Sequence, residues 1–119
     1  YTAFYTTRDF LEREPAALLG MTRAMHRTLK WIAERGGDEI ASSVSSYLPD
    51  FSRDTLARAL DRYKILGIWN ESPLLAREGY DWLRDAFLSG GLIQTGCPYE
   101  EAVEMRFAEA SAEDNPPSM

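Results

Sequence analysis

Apolar positions recur at helical spacing through residues 15–35, the most regular stretch of the chain. The inward positions lie three or four residues apart and comprise Leu18, Thr22, Met25, Leu29 and Ile32. This spacing places them on one face of a helix. Pro15 suits the first turn, where its missing N–H costs no hydrogen bond. Gly36 and Gly37 end the segment, since glycine accepts the left-handed conformation of a C-terminal cap. The pattern predicts an amphipathic helix over 15–35.

Shorter segments on both sides show the same spacing. Thr6 or Thr7 can cap a short helix before Pro15, and Ser52 can cap another, because a hydroxyl oxygen accepts hydrogen bonds from free N–H groups of the first turn. Three more helices are predicted, over 38–48, over 76–89 and from Pro98 onward. Within the second of these, Gly79 costs about 1 kcal/mol relative to alanine, so we expect close packing there. The chain should therefore be all-α, with five or six helices and little or no sheet.

Composition narrows the classes of protein to consider. The chain has 119 residues, and 13 basic against 19 acidic side chains give a net charge of −6. The length fits one domain, and the acidic balance argues against non-specific binding to nucleic acid or anionic membranes. The single cysteine excludes an internal disulfide and a cysteine zinc cluster. No apolar run approaches the roughly 20 residues of a membrane helix.

The two ends of the sequence differ in character. The segment 1–5 is apolar and β-prone, as in the middle of a larger chain, so we expect a fragment. Residues 111–119 lack apolar periodicity and contain two prolines, which predicts a disordered tail. Residues 1–110 would then form the folded part.

Few residues suggest chemistry. His26 and Cys97 are the only histidine and cysteine, and nothing local brings them together as a nucleophile and base. His26 is expected to be a partly exposed surface or packing residue. Three glutamates near the start of the last helix fit compensation of the helix dipole better than a metal site; they are Glu100, Glu101 and Glu104. We expect no enzyme, no cofactor and no metal.

One segment admits another interpretation. Residues 55–69 look like the recognition helix and wing entry of a winged-helix protein, with basic side chains that could meet phosphates. These side chains are Arg53, Arg58, Arg62 and Lys64. The alternative is thus a helical regulatory or DNA-binding module, and a helical protein-interaction domain is a third. Separately, Tyr5 and Trp69 could line an apolar ligand pocket.

The order and spacing of several segments resemble a known family. These segments are Leu56-Ala-Arg-Ala-Leu-Asp-Arg-Tyr63, Leu66-Gly-Ile-Trp69, Arg77-Glu-Gly-Tyr80, Phe87-Leu-Ser-Gly-Gly91 and Pro98-Tyr-Glu-Glu-Ala-Val103. Upstream, Thr6-Thr-Arg-Asp-Phe10 followed by Pro15 is similar to the strand and helix that re-enter the first lobe. Together they resemble the C-terminal part of periplasmic solute-binding proteins of ABC importers. The branch is the thiamine-pyrimidine type, grouped with nitrate, sulfonate and taurine binders.

The resemblance implies a binding function without catalysis. The parent would be a two-lobed α/β type II periplasmic binding protein, which holds a small molecule between its lobes and delivers it to a membrane permease. The ligand would be a thiamine-precursor pyrimidine, a sulfonate or a similar molecule. Localisation would be periplasmic, or lipid-anchored outside the cytoplasmic membrane. Tyr5 and Thr6, at the end of the presumed re-entry strand, are the candidate ligand-binding residues.

A piece of such a protein would lack the sheet that its helices cover. The apolar face of the helix over 15–35, including Leu18, Met25, Leu29 and Ile32, would then need another partner. We therefore expect the chain alone to self-associate.

Overall fold

The computed structural model describes residues 3–119, and every regular element in that range is helical. It contains α1 (Arg8–Arg13), α2 (Pro15–Glu34), α3 (Gly37–Val44), a short 3₁₀ helix (Ser45–Tyr47), α4 (Arg53–Ile65), α5 (Arg77–Ser89), α6 (Tyr99–Ala102) and α7 (Arg106–Asp114). No strand occurs within residues 3–119. The predicted all-α architecture is confirmed for this part of the chain.

Local capping explains where the first helices begin. The Thr7 hydroxyl accepts a hydrogen bond from the Phe10 N–H at 3.2 Å, and Ser52 accepts from the Thr55 N–H at 3.1 Å. Both bonds satisfy donors that a helix leaves free in its first turn. Pro15 begins α2, as expected for a residue without an N–H. The sequence signals therefore place these starts correctly.

The closest helix pair is α3 with α4. Ile40 and Ala41 of α3 are buried, as is Leu56 of α4. At the crossing, the Gly37 N–H donates to the Asp61 carboxylate at 2.7 Å. The two helices approach so closely here that a side chain at position 37 has no room.

The second pair is α2 with α7, which brings the end of the chain back to its longest helix. Leu18 and His26 are the buried residues of α2, and Ala108 and Ser111 those of α7. The hydrogen bonds of His26 to Ser111 join the helices across this interface. α5 packs chiefly against the short α6.

The C-terminal region differs from the prediction in two ways. The single helix expected from Pro98 is divided, because Val103 is extended and the Glu104 carboxylate accepts from the Arg106 N–H at 3.1 Å, which starts α7 afresh. We expected residues 111–119 to form a disordered tail. The structure instead places residues 111–114 in the last turn of α7, because Ser111 is buried against α2.

The buried apolar core is small for a chain of this length. Its described members are Leu18, Ile40, Ala41, Leu56 and Ala108. The solvent-accessible surface is 8729 Å², against about 6500 Å² for a compact protein of this mass. The radius of gyration is 16.6 Å, against about 13.5 Å for a compact domain of this length. The helices are therefore splayed.

Large apolar side chains remain exposed on several elements. They include Phe4, Tyr5, Tyr47, Phe51, Ile65, Leu66, Ile68, Trp82 and Leu92. The apolar face of α2, which the sequence predicts to be exposed in a fragment, is largely covered. Leu18 is buried, and Met25, Leu29 and Ile32 are half-buried, because α7 and its extension pack on α2. None of the helices described in residues 3–119 combines the length and apolar character needed to cross a membrane.

The close approach of α3 and α4 predicts the effect of Gly37→Ala. The new Cβ would meet the Ala57 carbonyl oxygen and lie 2.7 Å from the Asp61 carboxyl carbon. Forcing these helices apart should lower the free energy of unfolding by about 1–3 kcal/mol, measured by urea titration.

Gly79→Ala is the matched control, since a Cβ at this helical position meets no heavy atom within 4 Å. The close packing expected at Gly79 is thus found at Gly37 instead. The control should raise stability by about 0.5–1 kcal/mol. Equal effects of the two substitutions would contradict the tight crossing.

Candidate functional site

Tyr5 and Thr6, the ligand-binding residues expected from the sequence, lie in a segment without regular structure before α1. The Tyr5 side chain is 98% exposed. Tyr1 and Thr2, the start of the predicted β-prone segment, lie outside the described residues. Trp69, the other candidate pocket aromatic, packs edge-on against Tyr63 with ring centroids 5.8 Å apart. Neither cavity described below is lined by Tyr5, Thr6 or Trp69.

One cavity is a largely apolar cleft of about 300 Å³ beside α5. One wall is the apolar face of α5, whose residues recur three or four positions apart in the sequence. The other wall is the loop before α6. The lining residues are Tyr80, Leu83, Arg84, Phe87, Ile93, Thr95 and Cys97. The Tyr80 hydroxyl donates to the Cys97 carbonyl at 2.8 Å and so ties the loop to the helix. We name this cavity the α5 cleft.

A polar and aromatic cluster holds α5 and α6 together at one end of the α5 cleft. Arg77 forms an ion pair with Glu100 and lies over the Tyr99 ring, 4.6 Å from its centroid. The Tyr99 hydroxyl donates to the Leu75 carbonyl at 2.7 Å, and its ring meets Tyr80 edge-on at 5.6 Å. The position of Glu100 near a helix start predicts compensation of the helix dipole but not this pairing, because Arg77 lies 23 residues away in the sequence.

The charges in this region are compensated within the chain. The hydrogen bond from Arg77 lowers the pKa of Glu100 below its ordinary value, and the same bond raises the pKa of Arg77. The Arg84 pKa is raised chiefly by its hydrogen bond to Asp85, and Arg84 also pairs with Asp81 at 2.7 Å. The α5 cleft therefore offers a ligand apolar surface rather than an uncompensated charge.

The other cavity is an open groove of about 630 Å³ between α3 and α4, and its walls are mainly charged. Arg53 pairs with Asp38 at 2.7 Å and Arg58 with Asp54 at 3.0 Å. These arginines are two of the four side chains considered for DNA contacts. A third, Lys64, donates to the Ala33 carbonyl at 3.1 Å. Most of these cations are thus engaged within the chain.

The structure also separates the two residues considered for nucleophilic chemistry. His26 is buried at the α2–α7 interface, whereas Cys97 is exposed in the loop before α6. His26 therefore has the packing role, between α2 and α7. Within residues 3–119, no group of three or more His, Cys, Asp or Glu side chains is placed to hold a metal ion.

Comparison with known proteins finds one informative similarity. Over 109 residues the chain is 21% identical to a protein of Bacillus subtilis (strain 168) described as "Putative binding protein YtlA". The match covers 92% of this chain and 33% of that protein, so the chain spans about a third of its relative's length. No family model matches, and no solved structure matches significantly. The similarity supports a relationship to binding proteins in general.

The Arg77–Glu100 pair predicts a pH-dependent contact between α5 and α6. Because the folded-state pKa of Glu100 is lowered, the stabilisation is present above the ordinary glutamate pKa and is lost as pH falls through the folded value. Carbon-13 NMR of the Glu100 carboxyl group should show a midpoint below the ordinary glutamate value.

In Arg77→Gln the midpoint should rise toward that ordinary value, since the charged donor is gone while the backbone hydrogen bond to Glu100 remains. Arg58→Gln, which removes a cation from α4, should leave the Glu100 midpoint unchanged. An unchanged midpoint in Arg77→Gln would contradict the assigned pairing.

Proposed function

We propose that this chain is the C-terminal helical part of the solute-binding component of an ABC importer, which captures a small molecule for a membrane permease. The observation that carries the proposal is the match to a named binding protein along 92% of this chain but only 33% of that relative. The segments that resemble importer solute-binding proteins support the same function independently.

The exposed apolar surface is consistent with this proposal. Helices that cover a sheet keep their apolar faces buried only while the sheet is present. Ile65, 77% exposed at the end of α4, and Trp82 on α5 are side chains that such a layer would bury. In the proposed parent protein, the remaining two-thirds would supply that layer and the second lobe.

The ligand would lie between two lobes, whose hinged closure presents the loaded protein to the permease. We propose a thiamine-precursor pyrimidine, a sulfonate or a similar small molecule as the ligand, and a location in the periplasm or at a lipid anchor. Tyr5 and Thr6 are the residues of this chain proposed to reach the cleft. The exposure of Tyr5 leaves its ring free to do so. No catalytic step is proposed.

The proposal is tested by ligand-dependent stability of the full-length gene product. Taurine, nitrate and a hydroxymethylpyrimidine are suitable probes. A ligand that binds only the folded state, present at roughly 100 times its Kd, stabilises by about 2.7 kcal/mol. We expect one of these probes to raise the melting temperature, and Tyr5→Ala to reduce that shift.

The 119-residue chain alone is the control, because the proposed cleft needs the other lobe, and it should show no shift. Failure of every probe with the full-length protein would count against the proposal. A salt-dependent complex with duplex DNA would favour the DNA-binding alternative instead.

The chain alone is also proposed to self-associate through its bare apolar side chains, since large exposed apolar patches favour association. Light scattering should show an average mass that rises with concentration. Ile65→Glu, which places a charge in one such surface, should lower that mass.

Asn70→Glu is the matched control, because Asn70 is an exposed polar residue in the following loop. It adds the same charge without removing apolar surface, so association should persist. A strict monomer at high concentration would refute self-association of the chain alone.

A further inference from the structure

The densest set of polar contacts between distant parts of the chain joins α2 to residues 111–119, here named the C-terminal strap. Every described hydrogen bond between them spans at least 85 residues of sequence. The proposed binding function uses none of these contacts. The strength of these contacts determines how firmly the strap is held against α2.

The inner contact of the strap is buried. His26 is 5% exposed and Ser111 is 0% exposed. His26 Nδ1 lies 3.1 Å from the Ser111 carbonyl oxygen and 3.2 Å from its hydroxyl oxygen. Because a carbonyl oxygen only accepts, the tautomer with the proton on Nδ1 is the one that makes the carbonyl contact a hydrogen bond. As the only histidine, His26 is a specific reporter of whether the strap is closed.

The outer contacts are polar, and all but the part-buried one between Lys30 and Pro116 face solvent. Arg23 Nε donates to the Asp114 carboxylate at 2.8 Å, and Arg27 Nε donates to the Pro117 carbonyl at 3.1 Å. Lys30 donates to the Asn115 side-chain oxygen at 2.6 Å and to the Pro116 carbonyl at 2.7 Å. Three cations on one face of α2 therefore hold one carboxylate and three neutral oxygens.

The backbone bends where the strap leaves α7. Asn115 adopts the left-handed conformation, with φ 44° and ψ 57°, which asparagine tolerates better than most residues. This single residue ends the helix and turns residues 116–119 along α2. Residues 116–119, the outer part of the strap, thus follow the last turn of α7 through one hinge residue.

We propose that the C-terminal strap is a detachable clasp, which opens from α2 while α3 and α4 stay folded. Segments held by exposed polar contacts and little apolar burial open at lower free energy than the whole protein unfolds. Ala108 is the one buried apolar residue of α7, whereas α3 and α4 share a more apolar interface. Opening exposes His26 and frees Arg23, Arg27 and Lys30 on the surface of α2.

Amide hydrogen exchange of the 119-residue chain tests the clasp. Raising the salt from about 0.05 M to about 0.5 M shortens the range of electrostatic attraction, so exchange in α7 should accelerate while exchange in α4 does not. Asp114→Asn removes the partner of Arg23 and should increase opening about two- to fivefold, as for an exposed ion pair.

Asp54→Asn is the matched control, since it removes the exposed ion pair with Arg58 in α4 and should leave exchange in α7 unchanged. In parallel, nitrogen-15 NMR of His26 should show a protonated Nδ1 in the closed state, and in Asp114→Asn the signal should shift away from that state only in proportion to the increased open fraction.

Two results would overturn the proposal. If α7 amides exchange only at the rate of α4 amides, opening requires global unfolding and the strap is simply part of the fold. If α7 amides are unprotected at low salt, no closed clasp forms. Neither result bears on the proposed binding function, which the ligand experiment tests separately.

Discussion

The helices of residues 3–119 pack in separate pairs rather than around one shared core. The small apolar area that this packing buries explains why so much apolar surface stays exposed and why polar contacts join the elements. α3 packs on α4, α2 on α7 and α5 on α6, but within residues 3–119 no layer lies between the pairs to bury their remaining apolar faces. Hydrophobic stabilisation is roughly proportional to the apolar area removed from water. Because so much of its surface is exposed, the chain gains less hydrophobic stabilisation than its apolar content would allow.

Polar contacts consequently do much of the joining between elements. Arg77 holds α6 to α5 through Glu100, and Arg53 spans from α4 to Asp38 of α3. Such exposed ion pairs contribute little individually, so they specify which elements meet more than they stabilise the whole. The buried contact between His26 and Ser111 differs, because removing one partner while α7 stays packed on α2 leaves the other polar group unpaired and away from water.

The sequence predicts the helices well where the cause is local. Thr7, Pro15 and Ser52 act within one helical turn, and each marks a helix start that the structure confirms. It predicts poorly where the cause is distant. The helical residues 111–114 pack against α2, which lies more than 70 residues away in the sequence. Gly37 is a second example of a distant cause. The need for glycine at this position becomes clear only from the structure, which places Asp61 of α4 beside it.

The candidate site was harder to predict than the fold, for a physical reason. A ligand-binding cleft needs groups that converge from separate elements, and Tyr5 and Thr6 line neither of the two cavities described above. The α5 cleft does have converging walls, but Arg84 already faces Asp81 and Asp85. Specific recognition by this chain therefore needs one of two things. Either another protein surface completes a site around Tyr5, or the ligand binds the α5 cleft through apolar contacts alone. The chain matches only one third of a longer protein described as a binding protein, and the proposed function places the rest of the ligand site in the part that this chain does not span.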